Sequence, residues 1–206
     1  MSPPLYLLAS YLIGAFPTSY LLGRFHGLDL RDEGSGNLGG TNAFRVLGPG
    51  AAAIVLPIDL FKGFIPAWFF PPLDGSPGEE WALAYGLCAM AGHIWPVFTR
   101  FKGGKGVATG AGAVLALAPV AALIGILLWI GIVLLTRTAS FASLVAATVV
   151  PAIAYASAAP PYTVLLTIGL SATVWWTHRH NITRLIQRRE LTLAPRGKTD
   201  DAEQGQ

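Results

Sequence analysis

Three polar segments of this sequence carry residue types that bind phosphate groups. The first covers residues 34–42 and has four glycines in nine positions, with Arg45 close behind. Glycine allows the tight backbone turns in which successive N–H groups point at one anion, and an arginine adds charge suited to phosphate. The segment therefore predicts an anion-binding loop whose candidate ligands are Gly34, Ser35, Gly36, Asn37, Thr41, Asn42 and Arg45.

The second segment begins near His93 and ends with Lys102-Gly103-Gly104-Lys105-Gly106, directly before an uncharged run. The first N–H groups of a helix are free to bind an anion, and preceding glycines let a phosphate approach them. Lys105 stands where it can add a point charge. A nucleotide-binding P-loop is excluded, because no glycine lies five residues before Gly104 and Gly106 replaces the magnesium-binding Ser or Thr.

The third segment starts at His178, continues through Asn181 and ends at Glu190, its only acid. An imidazole can accept a proton and an amide can orient a substrate. Taken singly, each segment is also typical of a tight turn, a topology signal or an interfacial contact. Their common content of glycine, basic and neutral polar residues is what favours a phosphate site.

Other reaction classes lack their characteristic residues. No Gly-x-Ser-x-Gly motif is present, and no histidine is followed by Asp at the fifth position, as in a large class of acyltransferases. Asp32 and Glu33 flank the first segment, but no pair of carboxylates lies near the glycine-rich segments to act as a metal site, and Cys88 is the only cysteine. We therefore expect neither a metal site nor a cofactor.

The elements that position these segments are membrane helices. Charged residues make up 12% and hydrophobic residues 53% of the 206 residues, and the mean hydropathy is +0.54. A soluble domain of this size cannot bury so much apolar surface. Uncharged or nearly uncharged runs cover residues 3–23, 50–73, 81–99, 106–136 and 138–178.

The last two runs are too long for one span of about 20 residues each. Pro119 divides the first of them and Pro160-Pro161 divides the second, because a proline disfavours helix at the preceding residue. The sequence therefore predicts an all-α integral membrane protein with seven transmembrane helices, of which the fourth, residues 106–118, is short. Asp59 and Lys62 lie three residues apart in the second span and are expected to pair.

Basic residues predict the orientation of these spans. If the N-terminus is outside, thirteen of the fourteen basic residues fall in loops on one side, and the exception, Lys62, lies inside a span. The opposite loops carry only acidic charges. Basic loops are typically cytoplasmic, so we expect an external N-terminus, a cytoplasmic C-terminus and all three polar segments at the cytoplasmic face.

The motifs resemble those of the bacterial acyl-phosphate:glycerol-3-phosphate acyltransferase family of integral membrane enzymes. The matching pieces are GSGNLGGTNAFRVLG (34–48), GHIWPVFTRFKGGKGVAT (92–109) and HRHNITRLIQRRE (178–190). The resemblance covers the chain to about residue 190, so we interpret residues 1–190 as one polytopic domain and residues 191–206 as a polar, disordered tail. The sequence departs from the family at Gly40, usually Ala or Ser, and at Arg188, usually Gly.

The resemblance implies a reaction and its setting. A fatty acyl chain would pass from acyl phosphate to the 1-hydroxyl of glycerol 3-phosphate, giving 1-acylglycerol 3-phosphate (lysophosphatidic acid) and inorganic phosphate. This is the first acylation step of phospholipid biosynthesis, in the bacterial inner membrane with the active site facing the cytoplasm. The expected partners are the two substrates and the lipid bilayer, with no nucleic acid, and the expected state is a monomer.

The resemblance also suggests roles for residues. Lys105 and Arg45 would neutralise phosphate, the two glycine-rich loops would hold it, and His178 would help to orient the substrate. Three chemical alternatives stay open: His178 as base, a substrate phosphate oxygen as base, or Ser35 as a covalent nucleophile. A small organic-phosphate transporter or channel is the alternative function. The expected catalytic residues are Lys105, Ser35, His178 and Asn181, and the expected substrate-binding residues are Gly34, Gly36, Asn37, Thr41, Asn42, Arg45, His93, Lys102, Gly103, Gly104, Gly106 and Glu190.

Overall fold

The computed structural model describes residues 3–75 and 78–193, which form ten α-helices and one short 3₁₀ helix. In chain order the α-helices are α1 (Pro3–Ala15), α2 (Thr18–Phe25), α3 (Gly40–Leu47), α4 (Pro49–Asp74), α5 (Glu79–Ile94), α6 (Val107–Leu117), α7 (Pro119–Thr136), α8 (Ala139–Ala156), α9 (Pro161–Thr177) and α10 (Arg179–Ile186), with the 3₁₀ helix at Val97–Thr99.

Among the described residues, five apolar stretches are long enough to cross a membrane: Pro3–Phe25, Pro49–Asp74, Glu79–Thr99, Pro119–Thr136 and Ala139–Ala156. The predicted helical membrane architecture is therefore confirmed. The fourth predicted span is α6, which has 11 residues and a length of about 16 Å at 1.5 Å per residue. That is roughly half of a 30 Å hydrocarbon core, so the helical part of the fourth predicted span is shorter than an ordinary span.

Proline breaks the first apolar run. The sequence predicts one helix over residues 3–23, but α1 ends at Ala15 and α2 begins at Thr18. Pro17 has no N–H group to donate and disfavours the helical conformation at Phe16. The N–H of Thr18 instead bonds to the carbonyl of Phe16 at 3.0 Å, and the chain resumes as a second, shorter helix.

The chain reverses direction between α6 and α7. Ala118 both ends α6 and precedes Pro119, the first residue of α7, and the two helices pack on each other. The start of α6 and the end of α7 consequently lie on the same side of the bundle. The predicted division of the run at Pro119 is confirmed as a change of direction.

Glycines bring α4 and α6 into backbone contact. A Cβ added at Gly63 would lie 1.9 Å from the carbonyl oxygen of Thr109, and one added at Gly112 would lie 1.9 Å from that of Leu60. Any side chain at either position would force the helices apart, as in other small-residue interfaces of membrane helices. This contact holds the start of α6, and with it the second polar segment, against α4.

The last described residues are held by hydrogen bonds. Arg45 donates to the carbonyl oxygens of Leu191 and Thr192, at 3.0 and 3.1 Å, and the N–H of Leu193 donates to the carbonyl of Arg137 at 2.7 Å. Residues 191–193 therefore differ from the predicted disordered tail. The remainder of that tail, residues 194–206, lies outside the described residues.

Candidate active site

A cavity of about 480 Å³ lies where the three polar segments meet. Its wall is formed by the start of α3, one face of α4, the helices α6 to α9, and residues around α10. Helix packing thus brings together parts of the chain that are more than a hundred residues apart. The predicted site residues that line the cavity are Ser35, Asn37, Thr41, Asn42, Arg45, His93, Lys105, Gly106, His178, Asn181 and Glu190.

The cavity continues into an apolar arm that sequence reasoning did not identify. We define the apolar arm as the part lined by side chains of α4, α6, α7, α8 and α9, among them Leu60, Val114, Ile126, Val150 and Leu170. Trp129 also lines it, and its indole N–H is bonded to Ser143 Oγ at 3.0 Å. Long apolar runs carry no mark of which face borders a cavity, so only the packed helices reveal it.

A chain of hydrogen bonds joins the second and third polar segments. Lys105 Nζ donates to Asn181 Oδ1, and Asn181 Nδ2 donates to Glu190 Oε1 at 2.6 Å. Arg184 Nε donates to the other oxygen of Glu190 at 2.9 Å. The amide of Asn181 thus bridges the Lys105 ammonium and the Glu190 carboxylate. Its oxygen accepts from the ammonium, and its nitrogen donates to the carboxylate.

Lys105 lies in a mostly buried, positively charged setting. The pKa of its ammonium is lowered from 10.5 to about 8: burial is the largest cause, the charge of Glu190 opposes it, and the charges of Arg184 and Arg45 add to the lowering. A buried cation without a full counter-charge is a site that favours an added anion. Lys105 is therefore positioned to gain a phosphate as its partner.

Glu190 is held as a carboxylate despite partial burial. Burial raises its pKa, but hydrogen bonds from Arg184, Asn181 and Ser140 outweigh that effect, so its pKa lies below the ordinary value. Ser140 Oγ donates to Glu190 Oε1 at 3.0 Å. Arg188, two residues earlier, has a φ of 56°, a left-handed conformation that glycine adopts without strain.

His178 borders the cavity, and the hydrogen bond of its ring indicates which nitrogen carries the hydrogen. Its Nδ1 lies 2.8 Å from the carbonyl oxygen of Val174, and a carbonyl can only accept, so Nδ1 carries the hydrogen. In the neutral ring Nε2 is then unprotonated. Burial, followed by the charge of Lys105, lowers the pKa of His178 from 6.5 to about 4, so the ring is neutral at neutral pH.

The first polar segment is organised around the side chain of Asn42. Its Oδ1 accepts the N–H of Ser35 at 2.8 Å and the Ser35 hydroxyl at 3.1 Å, while its Nδ2 donates to the carbonyls of Leu30 and Glu33. Gly34 and Gly36 have φ values of 60° and 70°, which glycine adopts without strain. Neither glycine lines the cavity; both shape the loop that presents Ser35.

Three residues of the second segment lie elsewhere than predicted. Lys102 is exposed and outside the cavity lining. Gly104 donates its N–H to the carbonyl of His93 at 3.0 Å, and a Cβ there would lie 2.0 Å from His93 Nε2. Gly103 likewise packs on His93, and its carbonyl accepts the N–H of Leu38. These two glycines pack the segment closely and do not border the cavity.

The charge pair within the second predicted span is confirmed. Lys62 Nζ donates to Asp59 Oδ1 at 2.6 Å, and both side chains are buried. His93 Nδ1 lies 3.8 Å from the same oxygen. Asp59 and His93 border the cavity on its α4 and α5 side.

Sequence reasoning missed Ser140, which borders the cavity and donates to Glu190. The available signal was a pair of serines, Ser140 and Ser143, at the start of an apolar run just after Arg137. Within residues 3–75 and 78–193, no three His, Cys, Asp or Glu side chains cluster as metal ligands would. The cavity is bordered by cations, amides, hydroxyls, two imidazoles and two carboxylates.

A helical membrane protein in which a cationic pocket opens into an apolar arm has the features of an enzyme that acts on anionic lipids. Residues 4–188 match the family model described as glycerol-3-phosphate acyltransferase. The chain belongs to the glycerol-3-phosphate acyltransferase family, and the resemblance of its three motifs is confirmed.

Named relatives and solved structures agree. The chain is 43% identical over 193 residues to a glycerol-3-phosphate acyltransferase of Rubrobacter xylanophilus, covering 93% of this chain and 96% of the relative. It is 39% identical over 182 residues to one of Aquifex aeolicus, covering 88% and 94%.

Among solved structures, the chain resembles PlsY (YgiH), an integral membrane glycerol 3-phosphate acyltransferase. The TM-score is 0.86 with 36% identity for the glycerol 3-phosphate form, and 0.84 with 35% identity for the lysophosphatidic acid form. Each match covers 92% of this chain and 94% of the other.

Proposed function

We propose that this enzyme transfers a fatty acyl group from acyl phosphate to the 1-hydroxyl of glycerol 3-phosphate. The hydroxyl oxygen forms a bond to the acyl carbonyl carbon, the bond between that carbon and the phosphate oxygen breaks, and inorganic phosphate leaves. The products are 1-acylglycerol 3-phosphate and phosphate. Phosphate is a good leaving group, so no general acid is needed.

The observation that carries the proposal is that the polar end of the cavity and its apolar arm form one continuous space. Lys105, Arg45 and Asn181 border its polar end, and the apolar arm leads away from them between membrane helices. Acyl phosphate has the matching form, with an anionic head on an apolar tail. Glycerol 3-phosphate, a soluble dianion, matches the polar end alone and would be attracted by its positive charge.

Lys105 and Arg45 are proposed to neutralise phosphate and to stabilise the charge that develops on the acyl carbonyl oxygen and the leaving group. The start of α3 borders the same space at Gly40 and Thr41, where first-turn N–H groups and the helix dipole favour an anion. Gly106 precedes the first turn of α6 on the opposite wall. The hydrogen bond from Lys105 Nζ to Asn181 Oδ1 fixes the position of the ammonium.

The proton of the attacking hydroxyl is proposed to go to a substrate phosphate oxygen. A phosphate monoester has its second pKa near 6, whereas the pKa of His178 is about 4. An effective base has a pKa close to the working pH, so the phosphate is the proposed acceptor. His178 then accepts a hydrogen bond at Nε2 and orients the substrate.

Ser35 is proposed to bind substrate and not to act as a nucleophile. Its hydroxyl donates to the amide oxygen of Asn42, which is not a base and cannot take the proton. An activated serine needs a basic partner at that position. Asn42 is accordingly assigned the role of positioning Ser35.

We further propose that the chain crosses the membrane seven times, with an external N-terminus and a cytoplasmic active site. We place the enzyme in the bacterial inner membrane, with residues 1–190 forming a single domain that acts as a monomer. Basic loops support this orientation. Cysteine labelling of intact cells at exposed Lys102, in a Cys88→Ser background, tests it. Labelling of Lys102→Cys by an impermeant reagent from outside would overturn the orientation.

The proposed reaction is tested with purified protein in detergent, supplied with radiolabelled glycerol 3-phosphate and either palmitoyl phosphate or palmitoyl-CoA. Labelled lysophosphatidic acid is expected with palmitoyl phosphate and not with palmitoyl-CoA. Anion flux in liposomes without product formation would instead support a transporter.

A further inference from the structure

On each of four helices the residues that line the apolar arm end at a last position. Counting inward from the polar end, the last residues that line it are Val114 on α6, Ala122 on α7, Val150 on α8 and Thr167 on α9. We term these four residues the floor ring. The hydroxyl of Thr167 donates to the carbonyl of Val164 at 2.7 Å, so it adds no unpaired polar atom to the ring.

Beyond the floor ring the helices are closely packed. Ala118 and Ala154 lie about one turn further on than Val114 and Val150, and Ala121 directly precedes Ala122. These three alanines belong to one core cluster and are at most 7% exposed. At the ring itself α7 and α8 approach closely, since a Cβ added at Gly125 would lie 2.5 Å from Val150 Cγ2. The side chain of Val150 therefore reaches α7 and narrows the arm near its end.

The depth of the arm can be measured along α8. The lining residues Ala139, Ser140, Ser143, Ala146, Ala147 and Val150 follow one helix face. Ser140 is bonded to Glu190 at the polar end, and Val150 lies ten residues later, about 15 Å along the helix axis. A chain bound with its carboxyl end near Lys105 has this length available before it meets the floor ring.

We propose that the floor ring, and Val150 above all, sets the longest acyl chain that the enzyme accepts. The inference rests on the proposed function, since the occupant is the acyl chain of acyl phosphate. Continuity with the Lys105 end of the cavity and the apolar lining favour that occupant. A methylene that fits the arm gains transfer free energy, whereas one that meets Val150 must disturb a packed core.

The test measures kcat/KM with lauroyl, myristoyl, palmitoyl and stearoyl phosphate for Val150→Ala and Val150→Phe. Val149→Ala and Val149→Phe are the matched controls, because Val149 is adjacent but does not line the cavity. Val150→Ala is expected to shift the preference to longer chains, by about fourfold for each methylene newly accommodated, equivalent to ~0.8 kcal/mol. Val150→Phe is expected to shift it to shorter chains, and the Val149 variants are expected to keep the wild-type profile.

An unchanged chain-length profile in active Val150→Ala enzyme, or an equal shift in the Val149 variants, overturns the inference and leaves the proposed function standing. Absence of glycerol 3-phosphate acylation with every donor in the wild-type protein overturns the proposed function instead. If Val150→Phe fails to fold, Val150→Ala decides the outcome, because it only removes atoms from the floor.

Discussion

Lys105 should impose an alkaline limit on activity. Its ammonium has a pKa of about 8, lowered chiefly by burial. In the free enzyme the group is therefore mostly charged at neutral pH, by about ten to one, and loses its charge as the pH rises through 8. Since the charged form is the one that binds phosphate, kcat/KM should fall about tenfold for each pH unit above that value.

Two substitutions of Lys105 distinguish the effect of its positive charge from the effect of its titration with pH. Lys105→Met removes the charge at every pH, and we expect kcat to fall by about 10²–10³, the typical cost of losing one donor to developing negative charge. Lys105→Arg retains a cation that does not titrate in this range. Whatever activity Lys105→Arg retains should therefore lack the alkaline decline.

The assay is the pH profile of the rate with glycerol 3-phosphate and palmitoyl phosphate both well below their KM values, so that it reports the free enzyme, taken from neutral to strongly alkaline buffers and corrected for spontaneous donor hydrolysis. The same decline in wild type and Lys105→Arg would assign it to another group. A wild-type profile that stays level well above pH 8 would refute the proposed environment of Lys105.

Three further outcomes follow from the geometry. Rapid acid quenching during turnover of labelled acyl phosphate should trap no acyl-enzyme, and Ser35→Ala should keep measurable turnover. If the wild type instead yields a trapped acyl ester that is missing in Ser35→Ala, then Ser35 is the nucleophile. Lys62→Met should lower the free energy of unfolding by about 3–5 kcal/mol, because it leaves the Asp59 carboxylate without its ammonium partner. Adding Asp59→Asn should restore most of that free energy, as measured by thermal denaturation in detergent. A double variant that is no more stable than Lys62→Met would disprove this. Arg188→Gly should be about 1 kcal/mol more stable than Arg188→Ala by the same measurement, because only glycine relieves the left-handed backbone; equal stabilities would contradict that.

Sequence reasoning succeeded where hydrophobicity and proline act locally. Long apolar runs predict helices because few polar groups interrupt them, and Pro119 predicts the reversal between α6 and α7 because it cannot continue a helix. The same rule applied to Pro17 would have predicted the break after Ala15. An uncharged run of the right length for one span concealed that break.

The candidate site was predictable as a set of residue types but not as a set of contacts. A glycine-rich segment indicates that another group packs closely against its backbone, but the sequence does not show which group that is. At Gly103 and Gly104 the neighbour is His93, and at Gly34 a Cβ would lie 2.4 Å from Asn42 Oδ1. Such partners are set by tertiary packing between distant segments, as are the bond from Ser140 to Glu190 and the floor of the apolar arm.

The most direct test of the account is a structure of this protein with glycerol 3-phosphate and a non-transferable acyl phosphonate bound together. The account predicts both anionic groups beside Lys105 and Arg45, with the acyl chain lying in the apolar arm and ending at Val150. An acyl chain on the outer surface of the bundle, or a glycerol 3-phosphate remote from Lys105, would contradict it.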